Sequence, residues 1–405
     1  MKRILNVLAL LSATILVSCE KSSGGGVGGG GGGGGGTSGG GTTVAGSRPE
    51  TDQTPRWWAG VSNSDLYGYI DASGKMVIEP QFSGTTDFSS GVACVAKSDG
   101  EKFYIDKDGK SLGTIPSDFS YASTSFYYNR VAFLNSSNNR YGKLDLNLNV
   151  AVPEKYTNIG ISGDNGYSWC TTDGNLYGYV DQEGKEVIPM QYVFCSTFFS
   201  GVTCVGIEQN GDTMYAIIDE KGDYIVAPQA VVLDYLTDGV FAYNVNGYYG
   251  LWDKKGNKLT EASYEYFWDY RDGLACFQKN NKYGFVNTKG EEIIPAMYYN
   301  CSDFSGGYCW ALEAEGEPWK LIDKKGNVVH TFSLSETLGV LRNGVTLVYE
   351  WLDASANLVE LRYVDAKGKV IYKWTTVYTS SSAPKRMLQH ETRRVPRDNK
   401  YSTKK

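Results

Sequence analysis

From Trp58 onward the chain is a series of short apolar stretches of strand length, each closed off by a polar turn. "YSWCTT" (Tyr167–Thr172), "LYGYVD" (Leu176–Asp181) and "KEVIP" (Lys185–Pro189) are one such set, and "DQEG" (Asp181–Gly184) links the last two. A polar link ending on glycine, which tolerates positive φ, is a hairpin signal. Proline follows the third stretch at Pro80, Pro116, Pro189, Pro228 and Pro295. There it ends a strand without breaking a ladder. Each set therefore predicts three antiparallel strands, with a looser aromatic segment such as "QYVFCSTFFSG" leading to the next set.

The sets repeat. "LYGYIDASGK" (Leu66–Lys75) returns as "LYGYVDQEGK" (Leu176–Lys185), and the aspartate slot recurs at Asp71, Asp106, Asp145, Asp181, Asp219, Asp253, Asn287, Asp323 and Asp365. Nine copies in steps of 34 to 42 residues are an internal repeat, and a three-stranded piece of that size buries its faces only by stacking on its neighbours. The fold class is all-β: tandem units of about 36 residues in a propeller-like or open superhelical array. Variable unit length favours the propeller-like form, which absorbs it in loops. Glycine inside a strand commonly marks close approach of another backbone. Tyr67–Gly68, Tyr177–Gly178, Tyr249–Gly250 and Tyr283–Gly284 are thus expected to form the joint between units, each Tyr lying over a neighbouring unit. Gly142, after Tyr141, holds the same slot.

The pattern running from "YGYID" through "GK" and "PQF" to "DFS" and "GVA" resembles the WG-containing repeat family of bacterial proteins. Tyrosine replaces the family's tryptophan, and the 106, 219, 323 and 365 copies lose the glycine. The resemblance covers about 58–374. It implies an all-β interaction module and supplies no catalytic residue.

Residues 1–19 read as an address: basic Lys2 and Arg3, an apolar run from Ile4 to Val17, then "LVSC". The run is too short to remain as a spanning helix, and its end resembles a bacterial lipoprotein signal with Cys19 as the lipidated residue. Residues 20–56 contain the tract Gly24–Gly41, which has almost nothing apolar to bury and reads as a disordered tether. Residues 57–375 are the repeat domain. Residues 376–405 form a basic tail expected to be disordered.

Composition narrows the chemistry. A formal charge of −6 gives no reason to expect nucleic-acid binding, and two histidines, His330 and His390, leave little for a histidine triad or a zinc site. No cofactor or metal motif stands out. The repeated Asp suits the first position of a turn, where its carboxylate accepts backbone N–H groups; Asn287 does the same, against a cation-binding ring. Beyond Cys19, seven cysteines remain, and Cys94, Cys204 and Cys276 share one repeat slot with Ala242, which marks a small core position. The neighbouring pairs Cys195–Cys204 and Cys301–Cys309 are the candidate disulfides.

Thirty tyrosines point elsewhere. "YEYFWDY" (Tyr264–Tyr270) is the richest aromatic segment, and at a period of two Tyr266, Trp268 and Tyr270 share a face as a candidate platform for a sugar chain or peptide. "SFYYN" and "MYYN" are poorer versions. The expected function is a non-enzymatic interaction module in the bacterial cell envelope, outer membrane included, with a protein or glycan ligand. The alternatives are a glycoside hydrolase using carboxylates such as Glu79, Glu154 or Glu186, and a structural spacer.

Overall fold

The computed structural model describes residues 54–114, 119–122 and 126–377, and every regular helix or strand among them is a β-strand. Cys19, the glycine tract and nearly all of the basic tail lie outside the described residues. The strands form nine antiparallel sheets, each a simple meander of consecutive strands. We number them as blades 1 to 9, covering residues 57–82, 84–114, 119–156, 158–192, 194–229, 233–253, 266–298, 300–331 and 337–377. Blades 1 and 6 have three strands and the others four. The additional strand is only two residues long in four blades, for example Phe194–Cys195. It lies in the segment that the sequence marks as loose, since two residues carry no periodicity.

The blades are arranged as a nine-bladed β-propeller, and the ring closes. One apolar cluster takes Trp57, Trp58 and Tyr69 from blade 1 together with Leu347, Tyr363 and Trp374 from blade 9. The Tyr363 hydroxyl donates to the Trp58 carbonyl at 2.8 Å, and the Tyr372 hydroxyl to that of Gly60 at 2.9 Å. Arg342 of blade 9 also reaches past blade 1 to Asp87 of blade 2 in a two-pronged ion pair of 2.6 and 2.7 Å.

The mid-strand glycine does not make the joint between units; its close approach is within its own sheet. A Cβ on Gly178 would stand 2.5 Å from the Ile188 carbonyl oxygen and 2.7 Å from the Met190 nitrogen, and one on Gly68 would meet Ile78 and Pro80 backbone. The register explains this. In blade 4 Tyr179 pairs with Ile188 but Tyr177 pairs with Tyr192, so the outer strand carries two extra residues opposite Gly178. The same bulge faces Gly68, Gly142 and Gly284. Where the slot holds Phe103, Lys320 or Arg362 the pairing runs on without it. Proline suits such a bulge, because it has no N–H to leave unpaired.

The bulge sets the route of the chain. After it, one residue separates the outer strand from the first strand of the next blade: Ser83, Thr157, Val193 and Tyr299. Each of these donates its N–H to the second strand of that next blade at 2.7–2.9 Å. Most partners of the preceding tyrosine are also local. Tyr67 packs edge-on against Trp58 and Tyr177 against Trp169, and Tyr283 lies tilted against Trp268, all within one blade; Tyr249 meets Tyr266 of the next blade.

Blade-to-blade contact falls instead on the turn glycine three residues after the aspartate. Gly109 rests on Ile78 of the preceding blade, Gly222 on Ile188 and Gly326 on Ile294, while Gly74 of blade 1 rests on Ile371 of blade 9. Between blades 2 and 3 the roles are exchanged. Leu148, at φ 63°, occupies the turn, and its side chain lies over Gly113 of the preceding blade.

Candidate ligand-binding surface

The strand Tyr266–Arg271 opens blade 7 and carries the three candidate rings. They do not share a face. Phe267 pairs with Phe277 and Tyr270 with Ala275, so Trp268 and Asp269 form a bulge that breaks the period of two. Tyr270 is fully buried among Tyr264, Phe267 and Phe277, and its hydroxyl donates to the Asn287 carbonyl at 2.9 Å. Burial pushes that phenol far above its ordinary value. Tyr266 is also buried, at 6% exposure. Trp268 is half-buried. The two tyrosines are therefore core residues rather than parts of an open platform.

Trp268 nevertheless belongs to a row of rings. Tyr249 of blade 6 meets Tyr266 at 5.6 Å, Tyr266 meets Trp268 at 4.7 Å, and Trp268 meets Tyr283 at 5.6 Å, all edge-on or tilted. Such contacts are each worth about 0.5–1.5 kcal/mol beyond area burial. In blades 1 and 4 the ring that meets the tyrosine is a tryptophan on the preceding, paired strand, Trp58 or Trp169. Blade 7 has Cys276 in that slot, and Trp268 fills the space from the first strand. Among the described residues, the exposed large aromatic ones are Tyr224 and Tyr248, at 54% and 52% exposure. Both stand outside the crowded segments, so local aromatic density did not point to them.

The repeated aspartates are engaged in their own turns. At all nine repeat positions one carboxylate or amide oxygen accepts the backbone N–H groups two and four residues on, at 2.8–3.1 Å. A side-chain hydrogen bond from Ser73 holds Asp71 below the usual carboxylate range, and one from Asn327 does so for Asp323. Glu79, Glu154 and Glu186 lie on the outer strands of blades 1, 3 and 4, so they form no facing pair within a blade. Among the described residues no group of His, Cys, Asp and Glu is arranged to hold a metal ion.

Three further features escaped the sequence. Lys143 is buried in blade 3, donating to Ser162 and Ser168 at 3.0 and 2.5 Å. Arg362 gathers Glu336, Glu350 and Glu360 in blade 9. Cys195 and Cys204 fall in different core clusters on the two faces of blade 5, whereas Cys276 and Cys301 meet. The aligned slots alone could not show which slots touch across a joint.

The WG containing repeat model matches residues 67–100, 177–211, 249–283 and 283–313. No curated protein matches the chain. Among solved structures, a eukaryotic initiation factor aligns with a TM-score of 0.55 at 10% identity, over 80% of this chain and 96% of its own. The dihydro-heme d1 dehydrogenase NirN gives 0.39 at 13% identity, over 82% and 74%. BamB from Moraxella catarrhalis gives 0.31 at 14% identity, over 76% and 88%. The first of these is a likeness of fold alone.

Proposed function

From a chain that carries WG containing repeats closed into a nine-bladed β-propeller, we propose a non-enzymatic binding module of the bacterial cell envelope. A lipid on Cys19 anchors it, and its ligand is a protein or a glycan. The fold supports a binding or structural role in general, and the family resemblance points the same way. The observation that favours binding at a particular place is the row Tyr249–Tyr266–Trp268–Tyr283, which crosses from blade 6 to blade 7 and leaves Trp268 half-buried. A tryptophan backed by fixed rings offers a flat apolar face at little entropic cost, which suits a sugar ring or a peptide side chain.

The test uses the full chain as wild type, Trp268→Ala and Cys19→Ala, followed by thermal melting, capture from envelope extract and a glycan array. The expected result is that Trp268→Ala loses capture while still melting cooperatively, with a loss of about 1–3 kcal/mol for its two ring contacts. Retained capture with a clearly lower melting temperature would make Trp268 a packing residue. Cys19→Ala should leave the detergent phase; unchanged partitioning overturns the anchor.

A further inference from the structure

Seven cysteines are buried in the ring as thiols: Cys94, Cys170, Cys195, Cys204, Cys276, Cys301 and Cys309. The repeat explains which of them meet. The slot three residues after the loop glycine, on a blade's second strand, faces the first strand of the following blade. At the joint of blades 5 and 6 this sets Cys204 against Leu233, with Sγ 3.7 Å from the Leu233 carbonyl oxygen. At the joint of blades 7 and 8 the same two positions hold Cys276 and Cys301, whose sulfurs are 3.3 Å apart. Both residues are almost fully buried, at 1% and 3% exposure, in a cluster with Phe285, Ile294, Phe304 and Cys309. Cys301 stands directly opposite Ala311, so Cys309 is a diagonal neighbour in the same sheet. The three thiols do not make a metal site.

We propose that Cys276 and Cys301 form a disulfide across the joint of blades 7 and 8 when the chain folds in an oxidising compartment. A covalent S–S bond is about 2.05 Å long, so the two sulfurs need to close by roughly 1.3 Å. The oxidant is an accepting disulfide, either oxidised glutathione or the disulfide of an exchange catalyst. One thiolate attacks it, forming a mixed disulfide and releasing one thiolate of the oxidant. The second thiolate attacks the mixed disulfide at the protein sulfur, forming the Cys276–Cys301 bond and releasing the other. The two electrons leave on the oxidant's two sulfurs, and the protons of both thiols pass to solvent. Burial of both sulfurs in the finished ring puts the exchange before blades 7 and 8 dock. Once made, the bond is shielded from reductants.

The test is to refold the full chain in oxidised and reduced glutathione, denature it with a thiol-blocking reagent, and map the peptides without reduction. The expected product joins the peptide 272–279 to the peptide bearing Cys301. Cys276→Ala should abolish it, a substitution the fold tolerates because Ala242 holds this slot in blade 6; Cys309→Ala should keep it. Reduction should lower the apparent melting temperature of wild type by several degrees and leave Cys276→Ala unmoved. A Cys301–Cys309 link, or both thiols remaining reactive after oxidative refolding, overturns the proposal. The compartment rests on the envelope reading, which thiol trapping in intact cells tests separately. A bond that forms on refolding but is absent from cells refutes the address and leaves the pairing standing.

Discussion

Lys143 stands where the repeat elsewhere places Tyr69, Tyr104, Tyr179 or Tyr363, two residues before the turn aspartate. Its ammonium group reaches two serine hydroxyls and no carboxylate, at 1% exposure. Burial, with a lesser push from the Arg130 charge, brings its pKa from 10.5 down to about 7. In the unfolded chain the amine keeps its ordinary value. Below pH 7 both states hold the proton and the full cost of burying the charge is present. Between pH 7 and pH 10.5 only the unfolded state holds it, so folding stability rises with pH by about 1.4 kcal/mol per pH unit, toward roughly 5 kcal/mol in all. Replacing Lys143 by the similarly shaped Met removes this cost and loses two hydrogen bonds worth about 0.5–1.5 kcal/mol each. The two serines remain partnered, since their hydroxyl oxygens are 3.2 Å apart. Lys143→Met should therefore be more stable than wild type by about 2–4 kcal/mol at pH 6, with the advantage gone by pH 10. Urea unfolding of both proteins at several pH values measures the difference, in which other titrating groups cancel. A variant less stable at pH 6, or a difference that does not change with pH, would refute the reasoning.

Two other perturbations test the architecture. Gly178→Ala sets a Cβ within 2.7 Å of three backbone atoms of the outer strand and should cost about 1–3 kcal/mol by thermal melt. Gly84→Ala, whose Cβ would find only Ala96 at 3.4 Å, should stay within about 0.5 kcal/mol, and equal losses would contradict the bulge argument. Arg342→Met leaves Asp87 without its two-pronged partner at 14% side-chain exposure and should cost about 3–5 kcal/mol. The double variant with Asp87→Leu should recover much of that, and a double variant as damaged as the single would show that the pair does not matter as a pair.

The repeat made the fold class, the number of units and the turn chemistry legible, because each depends on residues close together in sequence. "YGYVD" followed by "GK" is a complete local instruction for a hairpin, and Asp181 does in the structure what its chemistry suggests. The role of Gly178 was not legible. Its constraint comes from Pro189, eleven residues away, and appears only when the two strands are laid side by side. Tyr266 and Tyr270 were misread for a related reason. A period of two assumes an unbroken ladder, and the bulge at Trp268 and Asp269 breaks it. Contacts across joints, such as Cys276 with Cys301, need the angle between blades, which no single repeat encodes.

The divergent copies then make sense as a group. Where the glycine faces an outer strand, at Gly68, Gly142, Gly178 and Gly284, that strand bulges and the chain steps into the next blade through one residue; where Phe103 or Lys320 replaces it, the bulge opposite this slot is absent. The link then lengthens, from Thr114 to Phe119 and from Thr331 to Thr337. Glycine in this slot thus buys a short connection rather than a close neighbour. Blade 9 carries Arg362 there, and its ladder pairs Arg362 with Lys373 and Tyr363 with Tyr372 without the bulge opposite this slot. Among the described residues blade 9 is the last in sequence, and its seam with blade 1 is made by side chains. The hydroxyls of Tyr363 and Tyr372 take the carbonyls of Trp58 and Gly60, and Trp374 covers Gly60, whose missing Cβ would stand 2.7 Å from the indole nitrogen. The turn contact of Gly74 on Ile371 repeats that of Gly109 on Ile78, Gly222 on Ile188 and Gly326 on Ile294. Closure therefore reuses a turn contact found at other joints and uses tyrosine hydroxyls where four of the consecutive joints use a one-residue backbone step.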